Sequence, residues 1–120
     1  MDESEIEKKA DEPEVIKLLN LILIQVLRDN GQVLELHPSG YRVIEYINEN
    51  EVELRQLPKK YYDSVVSRIE IMAGIDPLTD FPQVGEFSLD IISEKYLLSI
   101  YSEKLLAGKY LRADIEKYNK

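Results

Sequence analysis

The chain has 120 residues with a net charge of −8 and a pI near 4.7, and 44% of its residues are apolar against 32% charged. That length suits one domain with one core, and the acidic balance disfavours phosphate backbones and anionic membrane surfaces as partners. Cysteine is absent and histidine occurs once, which removes disulfides, thiol catalysis and any recognisable metal-ligand spacing; no cofactor is implied.

The first dozen residues, MDESEIEKKADE, are charged and poor in apolar side chains, so residues 1–12 read as a mobile acidic tail and 13–120 as a single α+β domain. They also lack the apolar stretch of an export signal, which places the chain in the cytoplasm. Pro13 and Glu14 open a helix expected over about 13–29, ended by Asn30-Gly31. Within it VIKLLNLILIQVL is apolar at ten of thirteen positions, interrupted by Lys17, Asn20 and Gln25. It is too short for a span of about 20 apolar residues and reads as a buried helix with no membrane insertion. Its apolar surplus marks Leu19, Ile22, Leu23 and Val26 as a candidate interaction face.

Three short segments follow, QVLEL, YRVIEYI and EVELRQL, separated by His37-Pro38-Ser39-Gly40 and Asn48-Glu49-Asn50. Their alternation predicts an antiparallel meander with Leu34, Leu36, Val52 and Leu54 inward and Glu35, Glu53 and Arg55 in water. Tyr62, Val65, Val66, Ile69 and Met72 or Ala73 then recur at helical spacing up to Gly74, which predicts an amphipathic helix. The stretch GIDPLTDFPQVGE reads as a loop. GEFSLDI and KYLLSIY follow as a hairpin turning at Ser93-Glu94, and 103–118 is read as a closing helix, with a further strand as the alternative. The fold class is therefore α+β, an antiparallel sheet of two strand groups (three strands, then two or three) packed against two main helices.

Motifs for catalysis are missing. EKLLAGKY, residues 103–110, agrees with a phosphate-binding P-loop only at Gly108 and Lys109, with Glu103 at the first glycine and Tyr110 at the hydroxyl position. The serine-hydrolase pattern Gly-x-Ser-x-Gly is also absent, and His37 reads as a surface turn residue. The eight tyrosines come without a basic groove, so packing explains them better than stacking on nucleic acid.

The runs EPEVIKLLNLILIQVLRDNGQVLELHPSGYRVIEYI, LPKKYYDSVVSRIEIMAGID and FPQVGEFSLDI resemble, in that order, the domain that precedes the motor in type II secretion and type IV pilus assembly ATPases. That family carries a helix of the form P-V-V-K-L-V-N-L-I-L, strands S-D-I-H-I-E-P and R-V-R-Y-R-I-D-G, a helix S-R-I-K-I-L-A-G-L-D and a loop R-L-P-Q-D-G-R-F. The most specific matches are Lys17 to Leu23 and Ser67 to Asp76. Pro82, Gln83, Gly85 and Phe87 of the loop persist, but its two arginines fall on Asp80 and Glu86. Two further family arginines fall on Ile44 and Tyr46, and only Arg42 remains.

In the family such arginines are held to reach nucleotide on the motor, where cations stabilise phosphoryl charge. An acid in that place replaces attraction by repulsion on the order of 4 kcal/mol at 4 Å for an effective dielectric near 20. The resemblance therefore implies a non-catalytic interaction or regulatory module that binds a motor ATPase, an assembly component or itself. The alternative is a small-ligand sensor with an apolar pocket lined by Leu34, Val43, Tyr62 and Phe87.

Overall fold

A computed structural model describes residues 2–91 and 93–118. Two helices and a sheet form its body. Helix α2 (Pro13–Arg28) has Pro13 in its first turn and ends at Asp29, where Asn30 takes a left-handed φ of 58°. Strands β1 (Val33–His37), β2 (Arg42–Ile47) and β3 (Asn50–Gln56) form the expected meander. Asn48 and Glu49 join β2 to β3 in a two-residue turn with both φ values positive, the geometry that matches strand twist. Helix α3 (Lys59–Met72) follows, then β4 (Gln83–Ile91), β5 (Glu94–Leu105) and β6 (Gly108–Lys117).

The two strand groups fuse into one six-stranded antiparallel sheet in the order β3-β2-β1-β6-β5-β4. The pairing β1·β6 is what joins them, and it brings the last strand to the centre. Residues 103–118, expected as a closing helix, are therefore the end of β5 and all of β6. The deciding pattern has period two: Leu111 and Ala113 are buried while Arg112 and Asp114 are exposed. The helical spacing of Leu111, Ile115 and Tyr118 was a coincidence of short range.

One sheet face carries the core. Leu34, Leu36, Val43, Leu98, Ile100, Leu111 and Ala113 pack there against α2 and α3, with Tyr62, Val65, Val66 and Ile69 inward from α3 as the helical spacing predicts. Val52, expected inside, is 40% exposed, because edge strand β3 extends beyond the cover the helices provide. Residues 3–10, read from sequence as part of a mobile tail, form α1 (Glu3–Ala10), capped by Asp2 and packed on α3. Ala10 is fully buried and Asp11 meets Arg68 at 2.5 Å, two long-range contacts that composition alone does not register.

Candidate functional site

The loop between α3 and β4 is held by its own turn chemistry and by a buried polar network. Gly74, at φ +73°, ends α3, and Ile75 turns into the core. Asp76 accepts from the Leu78 amide at 2.9 Å, and its carbonyl accepts from Thr79 N and from the Gln83 side chain. Below the loop, Glu70 of α3 is 1% exposed and accepts from Ser102 Oγ at 2.9 Å and from Lys109 Nζ at 2.8 Å. Lys109 also donates to the Thr79 carbonyl, and its own carbonyl accepts from Tyr62 Oη at 2.6 Å. One charge pair thus ties α3, β5, β6 and the loop together.

Of the residues that persist from the family's loop, Pro82 precedes β4, whereas Gln83 and Gly85, read from sequence as loop, stand with Phe87 in β4, where they pair with β5. Gln83 anchors to Asp76, and Phe87 is half-buried against the core. A β-carbon on Gly85 would lie 2.2 Å from the Ala73 carbonyl oxygen, so a bare backbone is required where β4 passes the end of α3. Pro82 is exposed. Sequence reasoning missed Glu70, Ser102 and Lys109. A signal existed for Glu70, which stands one helical turn after Val66 and about two after Tyr62 on the same inward line.

This corner of the molecule is also where apolar surface accumulates. Eight large apolar side chains are well exposed among the described residues, and five of them, Leu78, Phe81, Val84, Leu105 and Leu106, belong to the loop, the start of β4 and the β5–β6 turn. Phe81 and Val84 are each 77% exposed. Asp80 meets Lys104 at 3.7 Å and Lys109 reaches Thr79, so loop and turn lie side by side. Around them stand Asp76, Asp80, Glu86 and Glu103, while the nearby lysines are engaged by Asp80 and Glu70.

The interaction face expected on α2 is turned into the core. Leu19, Ile22, Leu23 and Val26 are at most 3% exposed and form part of the protein's own core, so they cannot meet a partner. The apolar surplus of α2 that reaches the surface is on the opposite side, where Pro13, Ile16, Leu21 and Ile24 line a shallow groove. Leu34, Val43 and Tyr62, suggested as a pocket lining, are fully buried in the core cluster. A cleft of about 470 Å³ opens instead between α1 and the start of α3, beside Ile6, Lys9, Lys59 and Tyr61.

Two further carboxylates are buried. Glu35, expected in water, points away from the helices yet is only 6% exposed, because Tyr110 donates to its Oε2 and His37 Nε2 lies 3.3 Å from its Oε1. Burial alone would raise its pKa, but hydrogen bonds from Tyr110, Tyr46 and His37 outweigh that and hold it below the usual value. Glu45 faces the helices at 1% exposure with Oε1 unpartnered. Burial, and then the neighbouring Asp29, push its pKa up to about 7.

Among the described residues no cluster of three or more acidic or imidazole side chains is placed to hold a metal, and no helix is long and apolar enough to cross a membrane. No family model matches the chain. Over 74 residues it is 32% identical to the type IV pilus assembly ATPase PilB of Myxococcus xanthus. The chain is similar to part of a type IV pilus assembly ATPase. The match covers 60% of this chain and 13% of that relative, so the chain spans a small fraction of the relative's length. The resemblance read from the helix and loop motifs thus has a specific counterpart in the pilus system.

Proposed function

We propose that the chain acts as a non-catalytic docking module of a secretion or pilus assembly system, working in the cytoplasm and binding a motor ATPase or an assembly component. The similarity to a pilus assembly ATPase supports the relation to that system. The observation that carries the docking role is the loop corner. Where the resembling family keeps arginines, this chain has Asp80 and Glu86, and around them it exposes Leu78, Phe81, Val84, Leu105 and Leu106. Surface of that kind excludes water when covered by a partner, and it gives phosphate nothing to bind.

Affinity purification of the tagged chain from its own cells, followed by mass spectrometry, tests the reading. Recovery of an assembly ATPase or another assembly component is the expected result. ATP turnover by the purified chain, or a catch with no assembly component in it, would sink the proposal.

A further inference from the structure

The sheet ends in β3 on one side and β4 on the other, and the two edges are built differently. A sheet edge presents unpaired N–H and C=O groups, a template for another strand unless charge or cover blocks it. β3 carries Glu51, Glu53 and Arg55 within seven residues, with Arg42 of the next strand 3.6 Å from Glu53. That edge is protected by charge of both signs. β4 is longer, nine residues, with Gly85, Phe87, Leu89 and Ile91 half-buried on the helix side and Val84, Glu86, Ser88 and Asp90 exposed on the other. Its charges are all acidic.

We infer that β4 is a strand-addition site for an extended segment of a partner protein that alternates apolar and basic side chains. A strand laid along β4 would place one set of side chains beside Phe87, Leu89 and Ile91 and the alternate set beside Glu86 and Asp90. The first set must be apolar and the second must be lysine or arginine. Phe81, two residues before the strand begins, adds exposed apolar surface at that end. A second copy of this chain is a poorer occupant, since each copy carries a net charge of −8 and would bring further acids to an acidic edge.

The inference rests on the docking role proposed above and names its surface and its partner chemistry. The probe is a capped peptide of alternating lysine and valine matching the nine residues of β4. It is compared with a glutamate-for-lysine version and with a peptide of the same composition whose lysines are gathered at one end. Amide NMR with hydrogen exchange on the full chain is the readout. The alternating basic peptide should slow exchange along β4 and bind about tenfold more tightly than the other two, as two cross-strand charge pairs allow. The double substitution Glu86→Lys, Asp90→Lys should reverse the preference towards the glutamate peptide, with an unchanged circular dichroism spectrum.

Equal binding of the segregated peptide, protection along β3 instead, or protection of β4 that appears with protein concentration alone would overturn the inference. Capture of an assembly component undiminished by the charge reversal would overturn the edge and leave the docking role standing. Peptide pairing on β4 with no assembly component recovered from cells would leave the edge standing and remove the role.

Discussion

Glu70 and Glu45 are each 1% exposed, yet they stand in opposite electrostatic situations. Glu70 meets a hydroxyl and an ammonium group; Glu45 meets another carboxylate and leaves one oxygen without a partner. A buried charge is tolerable when its lone pairs and its sign are both answered, and costly when neither is. The first site fastens the loop corner to the sheet. The second is a reserve of instability between the end of α2 and β2, where Gly31 leaves room for the Glu45 carboxyl.

The largest effect should come from stripping the well-partnered site of its cation. Lys109→Met leaves Glu70 buried without a counter-charge and releases the Thr79 carbonyl, and should cost about 3–5 kcal/mol in urea denaturation. Adding Glu70→Gln to that variant should recover part of the loss; no recovery would mean that packing by the lysine stem matters more than charge.

Next comes Glu45. Its folded pKa of about 7 lies above the ordinary 4.5, so its stabilising contribution is complete below pH 4.5 and is lost as pH rises through 7. Glu45→Gln should therefore raise stability by about 3 kcal/mol at pH 8 and leave it unchanged at pH 4. A gain of equal size at both pH values would refute the carboxylate account.

Glu35 gives the intermediate case, with the opposite pH trend. Its folded pKa is depressed, so its contribution is present above the ordinary value and is lost on acidification through the folded one. Tyr110→Phe should cost about 2 kcal/mol at pH 7 and shrink that acid-side loss, as read from stability measured across pH 3–7. Ser102→Ala should be the mildest, about 1 kcal/mol, because Lys109 still answers the charge on Glu70. A larger loss there would show that the hydroxyl orients the ion pair as well as filling a lone pair.

Much of the fold was legible because it depends on short-range periodicity. Tyr62, Val65, Val66 and Ile69 announced the inward face of α3, and Asn30, Asn48 and Gly74 announced their turns through the left-handed backbone they adopt. Where a segment's local pattern fitted two structures, as at 103–118, the choice fell to β1, whose second edge needed a strand and found β6. The candidate site was legible in part. Gln83 and Gly85 at the start of β4 could be singled out, but the exposed apolar corner depends on how loop and turn come to lie together, which no local spacing encodes. The reading of α2 failed for a related reason: an apolar helix declares a surplus, and only its neighbours decide which side is spent on the core.

The sequence by itself determined the α+β class, the meander, the amphipathic α3 and the resemblance to the domain preceding the motor in type II secretion and type IV pilus assembly ATPases, since all of these are written in residues a few positions apart. The tertiary structure alone decided the central place of β6, the Glu70–Lys109 tie across 39 positions, the strain at Glu45 and the difference between the two sheet edges. Burial and pairing are properties of what surrounds a side chain, and those surroundings exist only once distant segments have packed.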